Sequence, residues 1–285
     1  MDNIQKIVEQ LKAKQDADHK EVSARNAVPR KNGTLVSSDY QAGHLDSLQE
    51  IAYEQTKIIN TDPSELAERR LIAGLIKDPR SLPFRMLRTQ VLHQLRENNW
   101  NTLAINGATQ GAGKSFVATN LAVSIALEVN QTVLLVDMDL RRPSIHKYFG
   151  IDPEYGLLDH LQDDVPINKI MVNPGIERLV IIPGKGSTDE ASEIISSPKM
   201  LRLVEDMKNR YKSRIIIFDL PPLLSVDDAW VFLPHVDAGL LVVENGKNTE
   251  HEVIKSLQIL EVTNFIGAVL NKDNEENQSN YYYKY

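Results

Sequence analysis

Residues 105–122 read INGATQGAGKSFVATNLA. An apolar run enters a glycine-rich turn and leaves it into a stretch with helical spacing, so the segment reads as strand, loop and helix. Gly111 and Gly113 let backbone N–H groups approach an anion, Lys114 adds a positive charge, and the Ser115 hydroxyl can bind Mg²⁺. The spacing is that of a phosphate-binding loop, although Ala108 stands where such loops usually open on glycine and Gly107 lies one residue earlier. A glycine loop between strand and helix could be turn chemistry alone, but the GKS ending in this context favours phosphate. Two further GK pairs, in PGKGST at 183–188 and NGKN at 245–248, lack the full pattern and read as loops.

Working outward, short apolar runs alternate with helical segments after Trp100. TLAING (102–107), TVLLVD (132–137), RLVIIP (178–183), RIIIFD (214–219), AGLLVVE (238–244) and FIGAVLN (265–271) read as strands. Near-continuous apolar runs suit strands buried on both faces, with the intervening helices as parallel crossovers. The predicted fold is α/β, a P-loop NTPase with a mostly parallel sheet flanked by helices. Asp137 and Asp139 follow one strand and Asp219 ends another. Taken singly, each could cap a helix or turn. In a parallel sheet, however, the carboxyl ends share one edge with the phosphate loop, where the three acids suit a metal and general-base site.

Upstream, Ile4, Ile7, Val8 and Leu11 give residues 1–14 the spacing of a short amphipathic helix, and residues 16–43 read as a polar linker. In TDPSELAERRLIAGLIK, Asp62 is placed to cap a helix with Pro63 at its first position and Glu65 completing a capping box. A second helix follows DPRS, with Phe84, Leu87, Val91 and Leu95 on one stripe. The expected organisation is residues 1–60 as helix and linker, 61–270 as the P-loop domain and 271–285 as a tail. That tail ends SNYYYKY, with four of the chain's nine tyrosines.

The formal charge of −7 argues against a general nucleic-acid binder, which usually presents a basic footprint. The sequence has no cysteine, which excludes disulfides and thiolate metal sites. Nowhere do about 18 apolar residues run together, and the amino terminus lacks the pattern of a leader, so the expected location is the cytoplasm.

The three acid- and glycine-bearing stretches, in this order, resemble the bacterial tyrosine autokinases of polysaccharide biosynthesis. That family combines a Walker A loop, a Walker A′ stretch ending D-x-D-x-R and a Walker B run ending D-x-x-P. Here these read Gly107–Ser115, Asp137-Met138-Asp139-Leu140-Arg141 and Asp219-Leu220-Pro221-Pro222. The related partitioning and cell-division ATPases, which act as nucleotide-dependent dimerisation switches, are the alternative. They typically carry lysine where this chain has Thr109.

The resemblance implies an ATP- and Mg²⁺-dependent kinase that phosphorylates Tyr281, Tyr282, Tyr283 and Tyr285 on a neighbouring copy. It also implies a nucleotide site of Thr109, Gln110, Gly111, Ala112, Gly113, Lys114, Ser115 and Phe116, with Asn271 at the adenine or capping its strand. Ser115, Asp139 and Asp219 would hold the metal, Asp137 would accept the tyrosine proton, and Arg141 would steady charge or a loop. The chain resembles the separate-chain form of the family. Its implied partner is a membrane chain-length-determinant protein (a polysaccharide co-polymerase) that recruits it to the inner face of the membrane. A phosphatase and phosphorylated biosynthetic enzymes are further implied partners. Family rings use E-x-x-R-x-x-R; Arg85 and Arg88 match it, whereas Leu82 replaces the acid.

Overall fold

A computed structural model describes residues 57–59, 63–75, 77–210 and 213–273. The expected amino-terminal helix, the linker, the Asp62 cap and the four tail tyrosines lie outside the described residues. Among the described residues eight strands form one sheet: β1 (Lys57–Ile58), β2 (Thr102–Gly107), β3 (Thr132–Asp137), β4 (Val172–Asn173), β5 (Leu179–Ile182), β6 (Arg214–Asp219), β7 (Ala238–Glu244) and β8 (Asn264–Asn271). Their spatial order is β1-β4-β5-β3-β6-β2-β7-β8. All neighbours are parallel except β4 and β5, which pair antiparallel.

The six strands expected from apolar runs are present. Two more, β1 and β4, were not foreseen, and β1 lies ahead of the boundary expected at residue 61. Each is only two residues long, too short to carry a hydrophobic period.

The helices are α1 (Pro63–Glu68), α2 (Leu82–Asn98), α3 (Lys114–Ala126), α4 (Ile145–Tyr148), α5 (Leu157–Asp163), α6 (Ile167–Ile170), α7 (Ala191–Ile195), α8 (Pro198–Arg210), α9 (Asp228–Phe232) and α10 (Glu250–Leu260). α2 buries Phe84, Val91 and Leu95, the stripe read from its sequence, and Leu87 packs against the same core. Its last turn closes on Asn99 in the left-handed conformation, with Trp100 N–H donating to the Leu95 carbonyl at 2.8 Å.

α3 has no polar face: eleven of its residues are buried. It is covered by the sheet on one side and by α2 on another, where Phe84 and Phe116 meet edge to face at 5.5 Å. Asn120 fastens the cover further, accepting from Ile72 and Ala73 N–H at 2.9 and 3.0 Å and donating to the Arg70 carbonyl at 3.0 Å. The helix that begins at the phosphate loop is thereby held from both ends of its covering segment.

Candidate nucleotide and phosphoryl-transfer site

β2 is the hinge of the site because it lies between β6 and β7, so the loop leaving it has sheet on both flanks. Gly107 ends this strand; a Cβ there would lie 2.8 Å from Lys114 Cγ, so the lysine stem folds back over a position that only glycine fits. The neighbouring methyl of Ala108 is fully buried. Displacement of the usual opening glycine by one residue is thus explained. Gly111 and Gly113 take φ of 85° and 96°, a region that glycine enters freely. Gly113 then caps α3, whose first-turn N–H groups and dipole favour an anion.

The loop is braced from β7 and β8. Asn271 Nδ2 donates to the Ala112 carbonyl at 2.8 Å, and Lys272 Nζ donates to the Gly111 carbonyl at 2.8 Å. Asn248, from the NGKN loop, donates to Thr109 Oγ1 at 2.9 Å. Glu244 draws Lys272 and Lys247 together at 2.9 and 3.4 Å. Asn271 therefore engages the loop backbone. Phe116, expected among the cofactor residues, turns its ring to Phe84, which leaves its first-turn backbone N–H for a nucleotide. Gln110 is exposed on the loop.

Lys114 is only 7% exposed. Its charge works on two carboxylates, Asp139 and Asp219, favouring the ionised form of each. Burial opposes this and dominates: it pushes Asp219 up to about 7, helped by nearby Asp137, and pushes Asp137 itself up to about 6. Asp139 is also raised, chiefly by burial.

The three acids differ in their bonding. Asp137 Oδ2 accepts from Ser144 and Ile145 N–H at 2.9 and 3.0 Å, while its Oδ1 has no partner. Asp139 Oδ1 accepts from Arg142 N–H at 2.9 Å. Asp219 lies near the Ser115 hydroxyl, which favours its charged form, yet neither carboxylate oxygen completes a hydrogen bond of ordinary geometry.

Among the described residues no three histidine or acidic side chains form a metal cluster of their own. Two unpaired buried carboxylate oxygens beside a hydroxyl suit a hard divalent cation that takes its remaining ligands from phosphate and water, as Mg²⁺ usually does. The donor set therefore fits the expected ion.

Arg141 grips Asp228 of α9 with two bonds, Nε to Oδ2 at 2.8 Å and Nη2 to Oδ1 at 3.0 Å. Asp228 has no exposed surface. The arginine is a clamp between the loop after β3 and α9, and the sequence signal for its partner was absent because 87 positions separate them. Arg88 is likewise committed within the chain, to the Ser124 carbonyl at 3.0 Å and Glu128 at 3.2 Å.

Fold and loop define a P-loop nucleotide-binding protein. Residues 100–260 match the family described as "AAA domain". The chain is 37% identical over 189 residues to the tyrosine-protein kinase Etk of Escherichia coli K12, a match spanning 66% of this chain and 26% of that relative. It is 29% identical over 204 residues to the putative tyrosine-protein kinase CapB of Staphylococcus aureus, covering 71% of this chain and 88% of CapB. The solved kinase domain of the Escherichia coli tyrosine kinase ETK superposes with a TM-score of 0.65 at 36% identity, over 70% of this chain and 79% of that one. The chain belongs to the bacterial tyrosine autokinase family. Among the described residues no helix is long and apolar enough to cross a membrane.

Proposed function

We propose that this chain is an ATP-dependent protein-tyrosine autokinase that phosphorylates the carboxyl-terminal tyrosines of a second copy. The observation that carries the reading is the meeting of Lys114, Ser115 and three raised carboxylates on one sheet edge beneath a loop shaped for phosphate. The loop N–H groups and Lys114 would align the β- and γ-phosphates. A phenolic oxygen attacks the γ-phosphorus, the bond to the ADP oxygen breaks, and the phenol loses its proton. Asp137 is our acceptor: its Oδ1 is unpaired and its proton affinity is raised. Because Asp137 has no exposed surface, the arriving tyrosine must shift the groups packed over its unpaired oxygen. A Mg²⁺ ion bound with ATP would rest on Ser115 and Asp219, with Asp139 nearby, and would neutralise charge on the phosphates.

The family resemblance supports a role in exopolysaccharide synthesis or export with a membrane chain-length-determinant partner, and hence work at the cytoplasmic face of the membrane. Thr109, bonded to Asn248, supports this reading over the dimerisation-switch ATPases, which typically place lysine there.

The test is tandem mass spectrometry of the purified chain after incubation with Mg·ATP. Phosphate on Tyr281, Tyr282, Tyr283 or Tyr285 is the expected result, absent from Lys114→Met. Mixing Lys114→Met with a chain whose four tail tyrosines are phenylalanine should label the Lys114→Met tail. ATP hydrolysis without tyrosine phosphate would instead indicate the switch ATPase.

A further inference from the structure

A cavity of about 450 Å³ opens between the loop after β3 and the loop after β5. Arg142, His146 and Lys147 line one wall, Gly184 and Lys185 the other, and Asp152 supplies the single carboxylate. The charge is therefore strongly positive in a chain that is acidic overall. Among the described residues, none of Arg142, Lys147 and Lys185 lies within ion-pair distance of a carboxylate. Lys185 is held by the Glu154 carbonyl and by the ring of Tyr155, 5.8 Å from its ammonium. His146 Nδ1, buried, also lacks a partner.

The cavity adjoins the acidic edge. A Cβ at Gly184 would stand 2.3 Å from Pro143 Cβ and 3.4 Å from Asp137 Cγ, so the floor of the cavity is the back of the catalytic wall. The loop after β3 and the start of α4, which contribute Arg142 and His146, donate their N–H groups to Asp139 and Asp137. Two neighbouring compartments of opposite charge thus share one loop.

We infer that this cavity binds an aryl phosphate, the phosphotyrosine of a second copy's tail. The inference rests on the autokinase reading for the origin of its ligand. A phosphotyrosine brings about −1.5 to −2 charges at pH 7 and three acceptor oxygens, which suits three cations around an open volume better than a carboxylate does. Tyr281, Tyr282, Tyr283 and Tyr285 are the tail's sources of such a group.

The test uses a peptide of residues 277–285, with or without phosphate on Tyr283, and the 285-residue Lys114→Met chain, which cannot modify the probe. Fluorescence anisotropy should show the phosphorylated peptide binding at least about tenfold more tightly. The Lys147→Ala/Lys185→Ala chain should lose that preference and the Lys147→Arg/Lys185→Arg chain should keep it. Both lysines are exposed, so thermal melting should be unchanged. Equal affinity for the two peptides would overturn the inference. So would a preference that survives lysine removal, or displacement of the peptide by inorganic phosphate at equal concentration. No turnover is needed, so tail labelling of the native chain by Mg·ATP judges the kinase reading separately. Self-labelling without a phosphopeptide preference sinks the cavity alone, whereas a lysine-dependent preference without self-labelling supports the cavity and sinks the kinase reading.

Discussion

Asn271 Nδ2 lies 2.8 Å from the Ala112 carbonyl, and a Cβ at Gly113 would come within 2.0 Å of that same nitrogen. The last strand and the phosphate loop are in contact so close that one can be altered only at the expense of the other. Gly113→Ala should abolish measurable ADP binding, because it adds this clash to a left-handed φ of 96°. Removing the clash with a second change, Asn271→Ala, leaves the backbone cost of about 1–2 kcal/mol. Titration calorimetry should therefore rank the double variant above Gly113→Ala and below Asn271→Ala. Equal binding by Gly113→Ala and the native chain would refute the geometry.

Arg141→Ala strips the two-bond partner from a carboxylate that has no exposed surface. Loss of one member of a buried pair costs about 3 kcal/mol, or roughly 6–12 °C in melting midpoint for a domain of this size. The double variant with Asp228→Ala should recover part of the loss. Calorimetric melting of the four chains of that cycle measures the coupling, and simple additivity would show that the clamp contributes nothing.

Asp137→Asn keeps an oxygen for the Ser144 and Ile145 N–H groups but removes the basic carboxylate. Tail phosphorylation should fall by about 10²–10⁴ while ADP affinity stays close to native. Single-turnover quench-flow provides the rate. A native rate would move proton acceptance to another group.

The sheet was legible because strands buried on both faces carry nearly unbroken apolar runs, as Leu103–Ile105 and Ile215–Phe218 do. The phosphate loop was legible for a different reason: phosphate contact by backbone demands glycine at fixed intervals. What escaped was every side chain whose role lies in a distant partner. Nothing in the sequence singles out Asn120 or Asp228, yet Asn120 ties down Ile72 and Ala73 and Asp228 holds Arg141. Phe116 sits beside a phosphate motif, and only the packing of α2 reveals where its ring goes.

At the opposite end of the sheet, Asp237 accepts from Asn101 and Thr102 N–H at 3.1 Å each, from Thr102 Oγ1 at 2.8 Å and from Lys208. Burial raises its proton affinity, but Lys208, Thr102 and Asn101 together outweigh burial and hold it below the usual carboxylate range. With its folded value depressed, the stabilisation is present above the unfolded value near pH 3.9 and is lost as pH falls through the lower folded value. Asp237→Ala should cost about 2–3 kcal/mol at neutral pH, the scale of hydrogen bonds to a charged group. Urea titrations should show that gap constant above about pH 5 and narrowing below about pH 4. A gap independent of pH down to strong acid would contradict the assignment.

The central place of β2 also governs when the site can exist. Its partners β6 and β7 lie more than a hundred residues downstream, and the brace on Ala112 is 159 positions from its acceptor. On the ribosome, the glycine loop emerges long before either flank that shapes it, and such distant pairings are slow to form. ATP present during translation therefore has no finished cradle to enter until β8 is out. Nucleotide capture would report that the sheet is complete through β8.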